Sequence, residues 1–174
     1  MTRIPYLRRE ELGPEGQQLW DGIVNGRGDL VVTADGGLAG PFNAFVTAPG
    51  AGRRLSEVAI ITIGARWRAE FEWWAHAPMA REHGVAGAVV DAIGRGEDPP
   101  FEADDERAVY TVARQLGDAG RLDQETYDAA HRLLGDAGMV ELVSLCGYYT
   151  LVSFLLNAFT VPLPPDALPM WADS

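Results

Sequence analysis

The chain holds one cysteine, Cys146, in 174 residues. A single thiol can close no intrachain disulfide and form no Cys-x-x-Cys redox pair, which fits a reducing compartment. Basic charge is scarce as well: 14 Lys and Arg stand against 25 Asp and Glu, a net charge of −11. Such a surface repels phosphate backbones, so no nucleic-acid partner is expected. The opening stretch MTRIPYLRREELG lacks the apolar run of a secretory leader. A cytoplasmic location is the expectation. Charge is missing altogether from Leu142 to Pro165, a stretch long enough to span a bilayer. Its flanks offer only the acids Asp136, Glu141 and Asp166, with no Lys or Arg anchor. Ser144, Gly147, Thr150, Ser153 and Asn157 dilute its apolarity. The expectation is a helix buried in the core or under a partner subunit, and no membrane.

Strand alternation and internal repeats are absent too, and what remains is helical. PEGQQLWDGIV starts with Pro14, a good first helical residue. A Gly-rich arm follows. RRLSEVAIITIGARW contains a β-branched run but is too long for a typical strand, and Ser56 can cap it as a helix. EFEWWAHAPMAREHG is a second helix, with a kink expected before Pro78 and Gly84 as its stop. VAGAVVDAIGRG closes on glycines. DDERAVYTVARQLGDAG is amphipathic, with Ala108, Val109, Val112, Ala113 and Leu116 on one side. DQETYDAAHRLLGDAG has Asp123 as its N-cap, and the apolar helix from about Met139 to Phe159 comes next. VPLPPDALP is an extended tail. These elements predict an all-α bundle of about six or seven helices in one domain, 1–174, built around a helical hairpin.

That hairpin concentrates the chemistry. If helices 54–67 and 70–83 pack antiparallel about Arg66 to Arg68, positions summing to about 133 face each other. Glu57 and His76 are such a pair, and Glu72 lies one turn before His76 on the same face. Three ionisable groups then converge, with Trp67, Trp73 and Trp74 available as a low-dielectric wall. Histidine is the side chain best poised for proton transfer near neutral pH. A bonded carboxylate fixes its tautomer, and a second, partly buried carboxylate can itself carry a proton. The plain alternative is a surface Glu–His pair of a few tenths of a kcal/mol. A metal site with Glu57, Glu72 and His76 as N/O ligands is a further option, but the two-metal carboxylate pattern needs Glu-x-x-His at i, i+3 on two helices, and this chain has one such histidine, at i+4, so no metal is the expectation.

The stretch LSEVAIITIGARWRAEFEWWAHAPMAREHGV resembles the core motif of the carboxymuconolactone decarboxylase and alkyl hydroperoxidase D-like superfamily. The likeness extends through VVDAIGRG, DDERAVYTVARQL and LDQETYDAAHRLLGDAGMVELVSLCGYYTLVSFLLNAFTVPLP, and weakly GPFNAFVTAP. It makes 1–40 an arm, 41–163 the family core and 164–174 a tail. The peroxidase branch carries a glutamate, a cysteine pair and a histidine at fixed spacing. Counting from Glu57 places Ala69 and Glu72 at the cysteine positions and His76 at the histidine. Thiol-based peroxide reduction is therefore not expected. The resemblance implies the decarboxylase branch: cofactor-free acid–base chemistry on a small organic acid or lactone, in a homotrimer or homohexamer. His76 would move the proton, Glu57 orient it and Glu72 tune it or act as a second acid. Other readings are an alkyl hydroperoxidase-like antioxidant by label alone, or a non-catalytic ligand-binding or scaffold oligomer. Family members have about one more helix's worth of residues where GAGRR joins PFNAFVTAP to LSEVAI.

Four more residues are candidates for binding substrate: Trp67 and Trp73 as walls, Tyr148 as a phenol donor, and Arg66 for an anionic group. Tyr149 beside Tyr148, and Arg68 beside Arg66, share those readings; core packing and surface ion pairing compete with them.

Overall fold

Eight consecutive residues, Glu57 to Gly64, are buried in the helix Arg53–Arg66. A helix buried on every side is the centre of a bundle, and the β-branched run that favours a strand locally is overruled by that packing. The computed structural model describes residues 7–27, 32, 36 and 53–171. Among these residues the fold is all-α, with six α-helices and no strand. They are α1 (Pro14–Arg27), α2 (Arg53–Arg66), α3 (Glu70–Glu82), α4 (Gly87–Arg95), α5 (Asp104–Ala119) and α6 (Gln124–Ala158). The segment PFNAFVTAP lies outside the described residues.

The chain divides into two compact units, Met1–Gly50 with Leu134–Glu141, and Ala51–Leu133 with Leu142–Ser174. In the first, Leu12 and Trp20 are buried and Leu7, Ile23, Val24 and Val32 pack on them. Pro14 opens α1 as its sequence predicts. Arg9 grips Asp21 with Nε and Nη2 at 2.6 and 2.7 Å.

In the second unit α2 packs against α3, α4 and α5. Its start differs from the expected cap at Ser56: the helix is already formed at Arg53. Arg54 is fixed there by Asp105 at 2.6 Å and by Glu106, both in the first turn of α5. Residues 67–69 turn the chain into α3, and Arg68 takes a positive φ of 48° in that turn. Helix α3 continues through Pro78 to Glu82. Gly96 and Gly120 end α4 and α5 in the left-handed conformation, at φ 69° and 67°. Asp123 caps α6 by accepting from the Thr126 N–H at 2.8 Å. The two helices expected between 123 and 159 run on as one, broken at Gly135 (φ 67°, ψ −178°).

The apolar part of α6 is buried along one side only. Val143, Tyr148, Leu151, Phe154, Leu155 and, just beyond it, Phe159 are exposed. This differs from a fully buried core helix: the chain supplies bulk for one face of α6 and leaves the other apolar face open. The helix is long and apolar enough to cross a membrane by length and composition. The tail folds back onto the unit. Glu70 accepts the backbone N–H groups of Met170 and Trp171, each at 2.7 Å. The Trp171 indole donates to the Gly94 carbonyl at 2.9 Å and its ring meets Trp73 edge-on at 5.4 Å.

At Gly94, α4 meets Trp73 of α3 and Met170 of the tail. A Cβ there would lie 2.6 Å from Trp73 Cζ2 and 2.8 Å from Met170 Cε. The indole cannot yield without moving its neighbours. Gly94→Ala is therefore expected to cost about 1–3 kcal/mol, the usual penalty of overpacking, in urea unfolding followed by tryptophan fluorescence. A variant as stable as the parent would show that this junction is loose.

Candidate functional site: a buried Glu–His–Glu relay

Glu57 sits on α2 and Glu72 and His76 on α3, and the antiparallel hairpin brings all three together. His76 Nδ1 is 2.8 Å from Glu57 Oε2, the contact predicted by the register of the two helices. His76 Nε2 is 3.4 Å from Glu72 Oε1, one turn away on the same helix. Each ring nitrogen thus faces a different carboxylate. The two carboxylates are buried, Glu72 at 3% exposure, while the His76 side chain retains 17%. This is not the exposed surface pair that spacing alone allows.

Space for Glu72 comes from Gly64 on the facing helix. A Cβ on Gly64 would lie 3.1 Å from Glu72 Cγ. Glycine here lets the side chain lie flat against the α2 backbone. The second oxygen, Oε2, is buried with no hydrogen-bond partner among the described residues. A carboxylate so placed is poorly solvated. Burial pushes the Glu72 carboxyl up to about 7, His76 opposes that rise, and the nearby Glu57 carboxylate adds to it. Glu72 therefore gains and loses its proton near neutral pH.

The arrangement is a linear relay. With a proton on Nδ1 donated to Glu57, the Nε2 edge and Glu72 Oε1 can hold one further proton between them. At 3.4 Å the contact is an ion pair and not a hydrogen bond, so transfer of that proton needs the two side chains to move closer. The geometry suits proton transfer better than metal binding, because the carboxylates attach to opposite ring nitrogens and share no focus with them. Among the described residues, no group of three or more His, Cys, Asp or Glu side chains is arranged to hold a metal.

A phenol completes the site, and it belongs to Tyr149. Its ring meets His76 edge-on at 5.2 Å, and burial together with Glu72 and Glu57 raises its pKa. Tyr148 points away: it is 60% exposed and touches the site only through the Tyr149 ring. The adjacent tyrosines differ by 100° around α6, and only packing of α6 on the hairpin decides which one faces inward.

The other expected binding residues lie elsewhere. Trp73 is buried against Gly94 and Trp171. Trp67 packs edge-on against Phe154 at 4.7 Å, and its carbonyl accepts from Asn157 Nδ2 at 2.7 Å. Arg66 bonds Asp118 of α5 at 2.5 Å and stacks over Trp67. It lines a cleft of about 430 Å³ between α2, α4, α5 and the tail, and none of Glu57, Glu72 and His76 lines it. Cys146 is buried and its thiol is pushed up to about 12, so it is no reactive thiolate at neutral pH.

No family model matches the chain, and no curated protein matches it in sequence.

The raised Glu72 pKa has a consequence for stability. The folded state holds a proton between pH about 4.5, the ordinary value, and about 7, where the unfolded chain has released it. Its contribution is full below that window and is lost as pH rises through it, by roughly 3 kcal/mol in all. Urea unfolding at pH 5, 6, 7 and 8 is expected to show a fall in wild type that Glu72→Gln flattens. Equal slopes in the two proteins would mean that Glu72 is an ordinary ionised carboxylate.

Proposed function

We propose that this protein is an acid–base enzyme of the carboxymuconolactone decarboxylase type, acting without a cofactor on a small organic acid or lactone. One observation carries the reading: His76 is held between Glu57 at 2.8 Å and Glu72 at 3.4 Å, with Glu72 raised to about 7. In a decarboxylation the bond to the carboxylate carbon breaks, carbon dioxide leaves, and the electron pair passes into the neighbouring carbonyl system. A proton must then return to carbon. His76 is the group to deliver it, Glu57 orients the ring through Nδ1–H, and Glu72 reloads Nε2. Tyr149 supplies a wall over the imidazole. The hydroperoxidase label fits poorly, since Ala69 and Glu72 occupy the places of the dithiol and Cys146 is buried and protonated.

The test is release of carbon dioxide from a panel of small carboxylated lactones. His76→Gln is expected to lower kcat/KM by about 10²- to 10⁴-fold, the usual scale of one proton-transfer group. Glu57→Gln should displace the pH profile, and Cys146→Ser should leave turnover unchanged. Turnover by His76→Gln at the wild-type rate would end this proposal.

The same reading implies a cytoplasmic homo-oligomer, a trimer or hexamer. The exposed apolar face of α6 supports it, being a contiguous stripe of the kind that subunit contacts cover. Light scattering should give a mass several times 18.8 kDa, lowered by Leu151→Glu. A monomeric wild type would overturn the assembly.

A further inference from the structure

All fourteen basic side chains of this acidic protein are arginines, and four of them line one cleft. Arg66 and Arg68 come from the end of α2 and the turn after it, Arg95 from the last residue of α4, and Arg114 from α5. The only acid in the lining is Asp118, which lies 2.5 Å from Arg66 Nε and 3.7 Å from Arg114 Nε. Arg95 is tied to Glu97, outside the lining, by a single Nη2 contact of 2.7 Å. Four arginines and one aspartate therefore line about 430 Å³, a net of +3 among the lining residues within a chain of −11.

Arg66, Arg95 and Arg114 each keep N–H groups beyond those already bonded. A guanidinium carries five N–H groups in a planar fork suited to carboxylate or phosphate oxygens. Arg114 uses Nη1 on the Tyr110 hydroxyl at 2.9 Å, and Arg66 uses Nε on Asp118. One wall is apolar: Trp171 closes that side, held by Gly94 and Trp73, and Ile93 and Met170 adjoin it. A cleft of this size with convergent cations and an indole wall has the form of a small-molecule site.

We propose that this cleft is a binding site for a small organic polyanion bearing two or more carboxylate or phosphate groups, separate from the Glu57–His76–Glu72 relay. The two sites use different faces of α2. Glu57 and Gly64, seven residues apart, face α3, whereas Thr62, Ala65 and Arg66 line the cleft toward α5. Occupancy would relieve the mutual repulsion of the four guanidiniums and tie α2, α4, α5 and the tail together.

Isothermal titration with citrate and with pyrophosphate, at constant ionic strength set by sodium chloride, tests this directly. At least one of the two should bind saturably at one site per chain. Which one does so tells carboxylate from phosphate preference. The double variant Arg95→Gln, Arg114→Gln should weaken it by about tenfold or more, on the strength of charge-assisted hydrogen bonds. Arg121→Gln, an exposed arginine outside the cleft, and His76→Gln should bind as wild type. Trp171 fluorescence should respond to the ligand in wild type and not in the double variant. Circular dichroism identical to wild type would confirm that the double variant is folded. Failure of both anions to bind saturably overturns the proposal. So does undiminished binding by the folded double variant, or equal weakening by Arg121→Gln. A loss confined to His76→Gln would place the anion at the relay and overturn it as well.

Discussion

Two carboxylates inside one helical hairpin set the terms for the rest of this structure. Burying a charged carboxylate without a partner is costly, and α2 and α3 bury Glu57 and Glu72 within reach of one another. His76 makes that tolerable by standing between them, one nitrogen to each. The hairpin cannot slide by a turn without stranding a charge. Register, tautomer and the elevated Glu72 pKa are therefore one fact seen three ways.

The burial itself depends on small residues. Gly64 lets Glu72 lie against the α2 backbone, and Gly94 admits the Trp73 indole between α3, α4 and the tail. Close approach of backbones removes water, and removal of water gives a carboxyl group a proton near neutral pH. Packing and chemistry are linked at the same residues. The opposite charge logic holds on the other side of α2, where arginines gather around a cleft. There the Arg66–Asp118 and Arg54–Asp105 pairs span to α5. One central helix thus separates an acidic, dehydrated face from a basic, open one.

Much of this was legible in the residues. The 3.6-residue apolar period, Pro14, Asp123 and the closing glycines mark the helices, and the six found match that pattern. The Glu57–His76 contact follows from antiparallel register alone. Other features were not legible because they depend on distant parts of the chain. Ser56 looks like a cap until Arg54 is anchored by α5. Trp73 looks like a wall for His76 until the tail arrives with Trp171. Tyr148 and Tyr149 are equivalent in sequence, and their difference is an angle around α6. Arg95, Arg114 and Trp171 are scattered along the chain, and no local pattern announces their meeting.

The sequence by itself determined the class of fold, the hairpin, the pairing of Glu57 with His76 and the absence of a cysteine pair. Those follow from periodicity, from register and from residue identity, which act over a few turns of helix. Only the tertiary structure decided how deeply Glu72 is buried, which tyrosine covers the imidazole, where the tryptophans pack and where the arginines converge. Those depend on solvent exclusion and on contacts up to about a hundred residues apart, as between Glu70 and Met170. A pKa is a property of surroundings, and surroundings exist only once the chain is folded.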